Sequence, residues 1–116
     1  MMHIMPNETK KIMIIFGHHD TVQSFNSAIR DTFIEEALKV GHKIDLINLF
    51  DEKEQLPFYT TKINPPPKIV LEYRKRLENC DIMFLIGSCH NLRLNSILEN
   101  WVDWVLHPKW FFSYRT

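Results

Sequence analysis

Short apolar runs alternate along the chain with longer stretches of mixed polarity. Residues 11–16, KIMIIF, carry no polar residue after the lysine. A short continuous run of this kind predicts a strand covered on both faces, as in parallel sheets. Phe25, Ala28, Ile29, Phe33, Ala37 and Val40 follow at helical spacing. They predict a helix with that face inward, Ser24 as its N-cap and Gly41 as its stop. Residues 42–50, HKIDLINLF, bring Ile44, Leu46, Ile47 and Leu49 in a less regular alternation, predicting a second strand nearer a sheet edge. A polar loop, 51–66, runs into Pro65, Pro66 and Pro67. A helix starts near Pro67, since a proline in the first turn loses no hydrogen bond. It runs to about Asn79 with Ile69, Val70, Tyr73 and Leu77 inward. Residues 81–87, DIMFLIG, predict a third buried strand. Leu94, Ile97, Leu98, Trp101, Val102 and Val105 mark one face of a third helix, with Ser96 and Glu99 at capping-box spacing. Residues 1–10 are polar and expected to fray; 11–116 form one domain.

Strand and helix alternate regularly, so the expected fold is α/β, a parallel sheet with right-handed crossovers and helices on both faces. Ligands of such sheets sit beyond the carboxyl ends of the strands, near the point where strand order reverses. Two loops meet that description, 17–24 and 87–93.

Charge narrows the partners. Lys plus Arg number 14, as do Asp plus Glu. A net charge of zero gives no footprint for nucleic acid or an anionic membrane and favours association. No apolar run approaches the roughly 20 residues of a membrane span. The N-terminus lacks the apolar segment and cleavage site of a secretory signal. Cys80 and Cys89 have no metal-ligand spacing and read as reduced thiols, so the expected location is the cytoplasm.

The first loop carries Gly17, His18, His19 and Asp20, then Ser24, Phe25 and Asn26. A loop feeding a helix N-terminus offers free N–H groups and a positive dipole end, a combination that can hold a phosphate. The plainer reading is a capped helix with solvated histidines, and the local chemistry alone favours it. Glycines stand only at 17, 41 and 87, so neither a dinucleotide fingerprint nor a nucleotide P-loop is present. His18, His19 and Asp20 are too few to make a metal site by themselves. Cys89 beside His90 is conceivable as a nucleophile and base, but sequence neighbours rarely supply that geometry. Trp101 reads as a core anchor. Phe111, Phe112 and Tyr114 lie beyond the third helix and need a cover.

Two stretches together resemble the NAD(P)H dehydrogenase (quinone) family of flavodoxin-like flavoproteins, which includes the modulator-of-drug-activity type and the ancillary reductases of potassium-efflux systems. Residues 11–26, K-I-x-I-I-F-G-H-x-D-x-x-x-S-F-N, are similar to the family's first strand and phosphate loop. Ile97, Leu98, Trp101, Val102, Asp103, Val105 and Leu106, followed by Trp110, Phe111, Phe112 and Tyr114, resemble its I-L-K-G-W-x-D-R-V and G-F-A-Y patterns. The resemblance implies FMN or FAD as cofactor, NAD(P)H as cosubstrate and a quinone as acceptor. It implies that His18, Ser24, Phe25 and Asn26 contact the flavin phosphate, and that Ser88, Cys89, His90 and Asn91 hold the ring. The second loop departs from the family. Ser88 stands for a proline, Asn91 for an aromatic residue, Arg93 for a small residue and Asn95 for a second proline; His19 also stands for a proline.

The family continues with a fourth and fifth strand, whereas this sequence ends at Thr116, where the fourth should follow. Three βα units in strand order 2-1-3 are therefore expected, with the C-terminal strands missing. The third strand is then an uncovered edge that invites a homodimer or a partner chain. Three readings follow: a flavin-dependent NAD(P)H:quinone oxidoreductase, a non-catalytic remnant acting through a partner, or a loop in which Cys89, His90 and Arg93 bind a different small anion.

Overall fold

A computed structural model describes residues 9–90 and 93–107, with backbone alone at His90 and Arg93. The sheet has three parallel strands: β1 (Lys11–Gly17) in the centre, β2 (Lys43–Asn48) on one side and β3 (Ile82–Gly87) on the other. The strand order is thus the expected 2-1-3. Because side chains alternate across a strand, β1 serves two cores. Met13 and Ile15, with Ile47 of β2, face helices α2 (Lys68–Glu78) and α3 (Ser96–Val105). Ile12 and Ile14, with Ile44, Leu46 and Ile86, face α1 (Phe25–Lys39). Helices therefore cover both faces. Each fully buried aliphatic side chain contributes about 1.5–3 kcal/mol.

α2 and α3 follow their apolar patterns. Val70 and Tyr73 of α2 are buried, as are Leu98, Trp101, Trp104 and Val105 of α3. Tyr73 meets Trp101 edge-on at 6.0 Å. Its hydroxyl donates to Glu52 Oε1 at 2.7 Å, and burial first, then that bond, pushes the phenol well above its usual range. Pro57 O accepts from Asn100 Nδ2 and Trp104 Nε1, pinning the long loop after β2 onto α3.

α1 corrects the expected helical face. Ser27, Arg30 and Ala37 are buried, with Phe33 and Ile34 half-buried, while Phe25, Ala28, Ile29 and Val40 are exposed. Within the expected stripe, Phe25, Ile29, Phe33 and Ala37 step by four residues, which drifts about 40° per step on an α-helix. Only its C-terminal part, Phe33 and Ala37, coincides with the sheet-facing side. The observed set steps by three and four and holds its phase.

Other expectations also shift. β2 stops at Asn48, and Leu49–Asp51 form a 3-10 turn that drops Leu49 into the core. β3 is half-buried rather than buried: among the described residues it pairs only with β1, and Ile82 and Phe84 are each 39% exposed. The loop after β3 contains a short antiparallel hairpin, β4 (Cys89–His90) and β5 (Arg93–Leu94). Leu94, expected on the helix face, lies in β5 and is exposed. α3 takes Asn95 as N-cap, so Leu98 is its third residue and the Ser96–Glu99 capping box has no register in which to form. Asn91 and the aromatic residues 110–114 lie outside the described residues. Among those described, no helix is long and apolar enough to cross a membrane.

Candidate functional site

β1 and β3 end side by side, with Gly17 opposite Gly87. Both expected loops leave from these ends, and the side chain of Leu98 lies over both glycines. A Cβ on Gly17 would stand 2.5 Å from Leu98 Cγ, and one on Gly87 closer still to Leu98 Cδ1. The glycines let α3 sit down on the strand ends.

The first loop is ordered by its own side chains. Asp20 Oδ1 accepts from the backbone N–H of Val22 at 3.0 Å and of Gln23 at 2.8 Å. Those bonds, Gln23 first, hold its carboxyl below the usual carboxylate range. Ser24 Oγ accepts from Ser27 N at 2.9 Å and donates to Asp20 O at 2.9 Å; Ser27 Oγ in turn accepts from Ser24 N at 2.8 Å. This reciprocal capping box fixes where α1 begins. The N–H groups of Phe25 and Asn26 are the helix's first and have no acceptor within it.

His18 Nδ1 lies 3.0 Å from the backbone N–H of Asp20 and 3.3 Å from its carbonyl oxygen, so the ring is held against the Asp20 backbone. The rings of His18 and His19 stack at 4.4 Å, and His19 meets Phe50 edge-on at 6.5 Å. Phe25 is 80% exposed. Among the described residues, no group of three His, Cys, Asp or Glu could hold a metal ion.

The second loop meets the first through the expected residues. Asn26 Nδ2 donates to Ser88 Oγ at 3.4 Å, bringing together residues 62 positions apart. Cys89 is exposed. The side chain of His90 and all of Asn91 lie outside the described residues. The geometry thus joins His18, Ser24, Asn26 and Ser88 around the ends of β1 and β3.

Asn95 was not among the expected site residues, yet it ties three elements together. Its Nδ2 donates to Gly17 O, its N–H donates to Ser88 O at 3.1 Å, and its carbonyl accepts from Leu98 N and Glu99 N. Its Oδ1 is buried with no partner. A proline at this position would lack the N–H that reaches Ser88. Its place directly before an apolar helical run is the N-cap signal that marks it. Asp20 carried a similar signal, since an aspartate that bonds backbone N–H groups just ahead of it is the usual opening of such a turn.

A flavodoxin-like fold family model matches residues 10–116. The chain belongs to the flavodoxin-like family. A search of curated protein sequences finds no match. Among solved structures, this flavodoxin-like chain is similar to the NAD(P)H:quinone oxidoreductase from Methanothermobacter marburgensis, with a TM-score of 0.74 and 20% identity. The alignment covers 84% of this chain and 53% of the other, so the present chain corresponds to about half of that neighbour.

The donor set around α1 fits the phosphate end of a flavin. The N–H groups of Phe25 and Asn26, the Asn26 amide and the His18 ring offer hydrogen bonds at the positive end of the helix. Ser24 supports that end through the cap.

Proposed function

We propose that this chain is the flavin-binding part of an NAD(P)H:quinone oxidoreductase of flavodoxin-like fold, working in the cytoplasm. The observation that carries the reading is the Asn26–Ser88 contact, which joins the loops after β1 and β3 where the strand order reverses. Phe25, Asn26 and His18 hold the phosphate of FMN or FAD, and Ser24 keeps the helix end in place beneath it. Ser88, Cys89, His90 and Asn91 border the ring. The flavin supplies hydride chemistry between NAD(P)H and a quinone; the chain supplies position and electrostatics. No side chain of the site acts as acid or base in this reading.

The test is a visible absorption spectrum after incubation with FMN or FAD and desalting. Near-stoichiometric flavin bands support the reading. A colourless protein refutes it.

A second reading has its own observation. The β3 edge exposes Ile82 and Phe84 and carries no charge between residues 82 and 87. In that reading the chain is a non-catalytic flavodoxin-like unit, and the β3 edge meets a second copy or a partner chain. Sedimentation of the purified chain as a monomer at all concentrations refutes the homodimer.

A further inference from the structure

Arg30 is a charged residue in the α1-facing core. It is 6% exposed, and its ion pair is with its sequence neighbour Asp31, whose side chain is 61% exposed. A buried guanidinium is costly unless its N–H groups are matched. Here they are matched in three directions. Nη2 donates to Thr21 O at 2.8 Å, Nη1 to Asn48 Oδ1 at 3.1 Å and Nε to Asp31 Oδ1 at 2.9 Å. The guanidinium also lies 4.5 Å from the Phe16 ring centroid. The partners come from the loop after β1, the end of β2, α1 and β1. One side chain thus knits together the carboxyl ends of two strands.

The bond to Thr21 holds the carbonyl side of a single peptide. Thr21 C=O and Val22 N–H belong to one planar unit and point in opposite directions. Arg30 takes the carbonyl, and Asp20 Oδ1 takes the N–H at 3.0 Å. With the carbonyl drawn into the protein, the outer side of the loop beside α1 does not present that oxygen to an approaching anion. Freed to turn, the peptide would present a carbonyl, which repels a phosphate.

We propose that Arg30 is a positioning residue for the anion loop: by fixing the Thr21–Val22 peptide it keeps the loop receptive to the phosphate of a flavin. This rests on the flavin reading above. Lysine cannot replace it, because a point-like ammonium does not reach three divergent acceptors from one planar fork.

The experiment compares Arg30→Lys and Arg30→Met with the unaltered chain by two readouts. The first is amide hydrogen exchange at Val22 and Gln23, with β1 amides as the internal reference for global stability. The second is affinity for FMN against riboflavin, which lacks the phosphate. In Arg30→Lys, exchange at Val22 and Gln23 rises about tenfold relative to β1, as expected for losing one hydrogen bond to a charged group. FMN affinity falls by a similar factor while riboflavin affinity holds. Unchanged exchange at Val22 and Gln23 overturns the proposal, as does equal weakening of FMN and riboflavin, which marks a purely structural role. If Arg30→Met fails to fold, Arg30→Lys decides alone. An unaltered chain that takes up no FMN overturns the flavin reading, and the exchange readout then judges Arg30 by the same two outcomes.

Discussion

Replacing Gly17 by alanine tests whether the seat of α3 on the strand ends is as tight as the geometry requires. The new Cβ would lie 2.5 Å from Leu98 Cγ, 2.9 Å from Leu98 Cδ2 and 3.2 Å from Ile97 Cγ2. Carbon atoms in contact prefer about 3.5–4.0 Å, so Leu98 must move. Leu98 is fully buried and belongs to the larger core, which leaves it little room. Overpacking of this kind costs about 1–3 kcal/mol. Alanine also restricts the unfolded chain relative to glycine, which returns roughly 0.4–1 kcal/mol. The expected net loss is about 1.3 kcal/mol. With a urea slope of about 1–3 kcal/mol per molar, the unfolding midpoint falls by about 0.6 M. The mechanism is checked in a Leu98→Ala background, where the obstructing atoms are gone and the Gly17→Ala penalty should shrink by at least ~1 kcal/mol. A Gly17→Ala midpoint equal to that of the unaltered chain refutes the steric reasoning. So does a penalty that is the same with and without Leu98.

Ser24→Ala removes the capping hydroxyl and should cost ~1 kcal/mol in urea unfolding; it should also weaken FMN uptake more than riboflavin uptake. Asp20 titrates below its ordinary value in the fold, so its stabilisation is present above about pH 3.9 and is lost as pH falls through the lowered folded value. A carboxyl NMR titration should place its midpoint below that of an unfolded aspartate, and Asp20→Asn should flatten this part of the acid unfolding profile. The Tyr73 phenol is raised by burial and by Glu52, so its stabilisation is complete below about pH 10 and is lost as pH rises toward the folded value. Alkaline unfolding should therefore steepen above about pH 10, and Tyr73→Phe should reduce that steepening.

The parts legible in the sequence are those in which one physical signal dominates. β1 is apolar on both faces, and α2 and α3 each carry an apolar stripe in phase with the helix. Together with the alternating order, these predicted a parallel α/β sheet and placed the two loops, while the strand order 2-1-3 came with the family resemblance. α1 was harder to read because its inward side is partly polar. Ser27 and Arg30 face the protein because the capping box and three hydrogen bonds satisfy them there, and hydrophobic periodicity does not register such partners. Asn95 was equally hidden in its detail. It stands for the family's second proline, and the structure uses the N–H that a proline lacks. Gly17 and Gly87 belong to no phosphate motif; they make room for Leu98, a pairing that appears only when β1 and β3 are in register.

The two outer strands of the sheet differ in a way that gives it a direction. β2 carries Lys43 and Asp45, and Asp45 is clasped by Arg76 through two hydrogen bonds at 3.0 and 2.5 Å. Charges so placed discourage another backbone from docking. β3 offers Ile82, Met83, Phe84, Leu85 and Ile86 with no such guard. The sheet is therefore built like a zipper closed at one end. A further strand would meet apolar side chains at β3 and charged ones at β2, and the open flank is the one that leads to Ser88.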